Sequence, residues 1–145
     1  LIACAAQMGA MMGNASKIMH QALYDYGYQV GMAFQVADDY LDAFGDEKVF
    51  GKPIGGDILQ QKKSWLTIKA CSKTTEPSAF MSVFRTKDIE KVKSMYIQLG
   101  VDLDARNEIE KYNSQAISIL CQAGFSNEQI QVLKEFADSL VGRVK

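Results

Sequence analysis

Apolar residues along the first 44 positions recur at helical spacing and never alternate in the manner of a strand. LIACAAQMGAMM is apolar nearly all round, which predicts a core or interface helix over about Leu1–Met12. Gly13 and Asn14 break it, and Ser16 can cap a second, long helix over about Lys17–Phe44. On that helix Ile18, Ala22, Tyr26, Val30, Phe34 and Leu41 repeat one or two turns apart. The pattern lapses over residues 45–63, GDEKVFGKPIGGDILQQKK, where glycines and mixed charges predict an ordered functional loop. SWLTIKACSK resumes as a helix with Ser64 as N-cap, and Pro77 suits the first turn of a short one. Three more helices are predicted over about 87–99, 102–123 and 127–142, with Gly100 and Gly124 at C-terminal caps and Ser126 opening the last. Two prolines and no alternating segment make the expected fold all-α.

Composition narrows the function. An apolar fraction of 48% in 145 residues supports one domain with a core. With 16 basic and 17 acidic residues, no excess of one sign points to nucleic acid or an anionic membrane. The first apolar run is too short, and interrupted by Gln7, to span a membrane, and without a basic n-region it is expected to be a core helix with no targeting role. Cys4, Cys71 and Cys121 lack metal-site spacing and are expected to be buried, reduced thiols of a cytoplasmic protein.

What remains is local. Asp38, Asp39 and Asp42 crowd the end of the long helix, with Asp38 and Asp42 one turn apart on one side, Asp39 flanking them and Gln35 just before. Carboxylates so placed repel one another unless a cation compensates, and Mg²⁺ favours a site with one or two carboxylates completed by water and phosphate oxygens. Lys48, Lys52, Lys62 and Lys63 follow within the loop as point charges toward a polyphosphate, and Gly51, Gly55 and Gly56 let backbone amides approach it. Acids at a helix end are often just a solvated face, but Phe34, Val36, Ala37, Tyr40 and Leu41 interleave with these, so the acidic stripe is expected to line a groove. No frame through this segment satisfies an EF-hand, and GDEKVFGKP has neither the spacing nor the hydroxyl of a Walker A loop.

FQVADDYLD, then FGK, then GGDILQQKKSWL resembles the trans-isoprenyl diphosphate synthases, the family of farnesyl and geranylgeranyl diphosphate synthases. DDYLD is similar to that family's second aspartate-rich motif. The resemblance implies a helical bundle of the isoprenoid synthase type. It also implies a Mg²⁺-dependent prenyltransferase, with Mn²⁺ as a substitute, that ionises an allylic diphosphate and condenses it with isopentenyl diphosphate. Carried onto this chain, Asp38, Asp39 and Asp42 are the metal-side carboxylates, Asp38 first among them, and Asp57 contacts metal through water or another ligand. Lys52 and Lys62 hold the diphosphate, Phe34 and Gln35 face the reacting groups, and Asp38, Asp39 and Gln35 form the catalytic set. A homodimer is also implied.

The family carries another DDxxD on an earlier helix, and this chain has a single one. Residues 1–145 are therefore expected to be the C-terminal portion of one truncated helical domain, inactive alone. Two other classes compete: terpene cyclases, whose second metal motif is usually built from Asn/Asp, Ser/Thr and Glu, and non-catalytic subunits of heteromeric synthases. Lys52 and Lys62 disfavour the first, and intact aspartates the second.

Overall fold

A computed structural model describes residues 1–46 and 53–141. Among them are helices α1 (Ile2–Met12), α2 (Lys17–Phe44), α3 (Gly56–Leu59), α4 (Trp65–Lys73), α5 (Pro77–Arg85), α6 (Ile89–Gln98), α7 (Val101–Gln122) and α8 (Asn127–Val141), and no strand. The chain divides into two compact units: residues 1–35 with 108–141, and Val36–Asn107. Helices α2 and α7 each contribute to both.

Helix ends fall where capping chemistry puts them. Ser16 Oγ accepts the Met19 amide at 3.3 Å, Ser64 Oγ accepts the Thr67 amide at 3.4 Å and Asp88 accepts the Lys91 amide at 3.1 Å. Ser126 and Gln129 form a reciprocal box, amide to side chain in both directions. Gly100 and Gly124 adopt φ of +65° and +78° just past α6 and α7. Among its described residues, the predicted loop at 45–63 contains an element that its glycines concealed, the single turn α3.

In the first unit Tyr26, Val30, Ala116, Leu120 and Ala137 form the core, and the Tyr26 hydroxyl donates to the Leu133 carbonyl at 2.6 Å. Burial, helped by Asp138, pushes the Tyr26 pKa up to about 12, so it stays a neutral donor. Helix α1 buries only Ala3 and Ala10, while Met8, Met11 and Met12 are exposed. It approaches α2 at Gly27, where a Cβ would lie 2.7 Å from Ala3 Cα and 2.9 Å from its nitrogen. Gly31, one turn on, has only Ile2 Cδ1 at 4.0 Å. Gly→Ala gains roughly 1 kcal/mol of helix propensity at either position. At Gly27 an overpacking cost of about 1–3 kcal/mol opposes it, and because the obstacle is backbone the clash wins. Gly27→Ala should therefore lower Tm by a few degrees while Gly31→Ala holds or raises it, as a melting curve read by circular dichroism would show.

The second unit is built on aromatic packing. Phe80 stacks on Phe84 at 6.1 Å and lies 6.0 Å from Tyr96, which neighbours Phe44 at 6.3 Å. The buried Phe80 and Phe84 rings each contribute about 1.5–3 kcal/mol over exposure. Helix α4 packs on α5 and α6, and α3 rests against α6.

The cysteines depart from expectation: Cys4 and Cys121 are exposed and Cys71 is half-buried. On α7 the buried positions run through Ala105, Ile109, Ala116 and Leu120, and Cys121 falls off that stripe, so helical phase overrides the apolar tendency of a thiol. No helix among the described residues is long and apolar enough to cross a membrane.

Candidate functional site

The last turns of α2 distribute their acids by phase. Val36, Ala37, Tyr40 and Ala43 are buried, and Asp39 shares their side with only 8% exposure. Asp38 is exposed and Asp42 half-buried. Among the described residues nothing bonds the Asp38 carboxylate, whereas its two neighbours are both engaged.

Asp42 closes the glycine turn. Its main-chain carbonyl accepts the Gly55 amide at 2.6 Å and its carboxylate accepts the Asp57 amide at 2.8 Å, at the start of α3. Gly55 has φ +83°, a conformation that costs a side-chain-bearing residue energy, and a Cβ at Gly56 would stand 3.0 Å from Asp42 Oδ1. The two glycines are what let the carboxylate reach a helix N-terminus. Burial foremost raises the Asp42 pKa. The Asp57 amide and Lys62 pull it down, while the Asp57 and Asp38 charges push it further up.

Lys62 answers that charge. Its ammonium meets Asp57 Oδ1 at 2.6 Å, and its own amide donates to the Asp57 carbonyl at 2.9 Å. The Asp57 hydrogen bond first, then the charges of Asp57, Asp42 and Asp38, raise the Lys62 pKa and keep it cationic. The turn beneath it is held by Gln61, at φ +55°, whose side-chain amide donates to the Arg85 carbonyl at 3.2 Å.

Asp39 faces elsewhere. Its carboxylate accepts the Trp65 amide at 2.6 Å, in the first turn of α4. The structure thus brings Asp38, Asp42, Asp57 and Lys62 into one electrostatic cluster and sets Asp39 beside it, inside the core. Lys52 lies outside the described residues, as does most of the FGK segment. Phe34 and Gln35, one turn before Asp38 on α2, are exposed. Among the described residues no three His, Cys, Asp or Glu side chains converge as a preformed metal site.

Sequence reading passed over Tyr96 and Thr67, whose hydroxyls pair at 2.9 Å in the core. It also passed over Arg106, which donates through Nε to the Tyr40 hydroxyl at 2.9 Å and lies over that ring. Neither carries a local pattern. The interleaving of Tyr40 with the acids was the one available hint.

A continuous stretch, residues 1–99, matches the polyprenyl synthetase family profile. The chain belongs to the polyprenyl synthetase family. Geranylgeranyl diphosphate synthase of Saccharolobus solfataricus is 32% identical over the whole of this chain, which covers 46% of that enzyme. A crystal structure of a geranylgeranyl pyrophosphate synthase superposes with TM-score 0.87 at 33% identity, over 98% of this chain and 47% of the other. The Corynebacterium glutamicum geranylgeranyl pyrophosphate synthase, solved with isoprenyl diphosphate and magnesium, gives TM-score 0.82 at 26% identity, over 93% and 40%. This polyprenyl synthetase chain spans less than half the length of these relatives, and its helices follow the isoprenoid synthase fold.

Proposed function

We propose that this chain supplies the metal-side acids and the diphosphate-binding lysine of a Mg²⁺-dependent trans-prenyltransferase, which condenses an allylic diphosphate with isopentenyl diphosphate. The observation that carries the reading is the cluster itself. Asp57 bonds the Lys62 ammonium, the charges of Asp42 and exposed Asp38 also raise the Lys62 pKa, and the glycine turn ties Asp42 to the start of α3.

The donor set fits a hard cation. Asp38 and Asp42 lie one turn apart and offer carboxylate oxygens, and the charges of both raise the Lys62 pKa, which supports a cation-favouring spot. The chemistry that magnesium supplies at such a site is neutralisation of the negative charge gathering on a departing diphosphate. The chain's own part is positioning. Asp57 takes one N–H of Lys62 and holds it as a charged donor, which leaves the other N–H groups of the ammonium for phosphate oxygens. Lys52 shares that role by resemblance, and Phe34 and Gln35 take the prenyl groups. The same reading carries a homodimeric cytoplasmic enzyme and no turnover from these residues alone, since the sequence holds one DDxxD.

Calorimetric titration of inorganic pyrophosphate into this chain tests the site directly. Saturable one-to-one binding that requires Mg²⁺ is expected. Equal heats with and without Mg²⁺, or none in either case, would remove the support for a metal-diphosphate site here.

A further inference from the structure

We infer that Asp39, resting on the function proposed above, is a positioning residue: its buried carboxylate clamps the first turn of α4 through the Trp65 amide and thereby fixes the turn that presents Lys62. It does not itself ligate metal. Three neighbouring acids of one motif thus divide into one open to solvent, one shared with α3 and one committed to the core.

The first amides of a helix have no partner within it, and a carboxylate placed there satisfies one of them and favours the positive end of the helix dipole. Trp65 supplies such an amide, and Asp39 takes it at 2.6 Å while only 8% exposed. A ligand for a hydrated hard cation needs lone pairs that reach a wet site. Asp38 is open to solvent, whereas Asp39 is 8% exposed and already gives one oxygen to the Trp65 amide.

From Trp65 the grip passes to Lys62 through a few bonds. Ser64 Oγ caps α4 at the Thr67 amide and lies 3.1 Å from Thr67 Oγ1. The Thr67 hydroxyl, buried at 4% exposure, pairs with Tyr96 Oη at 2.9 Å and reaches the Lys62 carbonyl at 3.5 Å. Burial drives the Tyr96 pKa up to about 12, so that hydroxyl stays protonated and the network stays neutral. Lys62 is then held by its carbonyl on one side and by Asp57 on the other.

Asparagine separates the two roles. It is as good an N-terminal cap as aspartate, since it keeps the acceptor oxygen, but it loses the charge a metal needs. The test combines amide hydrogen exchange with Mg²⁺-pyrophosphate calorimetry on this chain as wild type, Asp39→Ala, Asp39→Asn and Thr67→Val. Asp39→Ala should speed exchange at the Trp65 and Lys62 amides by about five- to thirtyfold and weaken pyrophosphate binding by a similar factor, while Asp39→Asn restores both to within about threefold of wild type. Thr67→Val, which cuts the path one step later, should speed exchange at Lys62 and leave Trp65 protected, and it decides the question if Asp39→Ala does not fold. The clamp is overturned if Asp39→Asn keeps Trp65 protected yet loses Mg²⁺-dependent binding as completely as alanine. It is equally overturned if neither Asp39→Ala nor Thr67→Val changes exchange at Lys62. Should wild type bind no pyrophosphate with Mg²⁺, the proposed function falls, and exchange at the two amides still decides the clamp.

Discussion

Asp38→Ala should abolish Mg²⁺-dependent pyrophosphate binding, by at least on the order of a hundredfold, and leave the fold intact. Removing a group that merely orients a metal ligand costs about ten- to a hundredfold in metal affinity, so losing a direct ligand sets the larger figure as a floor. The fold is spared because Asp38 is exposed and supports no described hydrogen bond. Stability should even rise slightly. Aspartate is a poorer helix former than alanine by a few tenths of a kcal/mol, and its repulsion toward Asp42 disappears. Calorimetry would read the first effect and a thermal melt the second. Binding within a few fold of wild type would transfer the metal assignment away from Asp38, and a falling Tm would show that the residue supports the fold instead.

That division between neighbouring acids bears on what a sequence discloses. The helices were legible because each carried its own signal: Pro77 opens α5, Gly100 follows α6 and Ser126 starts α8. Asp38 and Asp42 were legible as a pair because their separation places them on one side of α2, Lys62 because a lysine beside glycines after the acids suits a polyphosphate, and Asp57 only through the family resemblance. The commitment of Asp39 was half legible. Its spacing from Val36 and Ala43 is that of the buried stripe, yet the sequence alone set it only beside the Asp38–Asp42 pair, and its partner, the Trp65 amide, is a backbone group on another helix that leaves no trace in residue identity. The same holds for Asp42 at the Asp57 amide. Side chains that cap a distant helix are indistinguishable in sequence from side chains that bind a ligand. The cysteines show the reverse, a preference of residue type that yielded to helical phase.

Lys62→Ala should move two affinities in opposite directions. The Lys62 ammonium bonds Asp57 at 2.6 Å, and that bond with the charges of Asp57, Asp42 and Asp38 raises its pKa. In the absence of phosphate it competes with any other cation for those oxygens. Without it, Mg²⁺ alone should bind several-fold more tightly, because the carboxylates lose their resident counter-ion and repel one another more strongly. Pyrophosphate in the presence of Mg²⁺ should bind about ten- to a hundredfold more weakly, the loss expected for one charge-assisted donor to a phosphate oxygen. Titrations of Mg²⁺ alone and of pyrophosphate at saturating Mg²⁺ read the two separately. A variant that merely disturbed the turn would weaken both. Crossed effects require that one ammonium serve the acids when the site is empty and the diphosphate when it is filled, so a parallel loss would end the assignment of Lys62 as the diphosphate lysine.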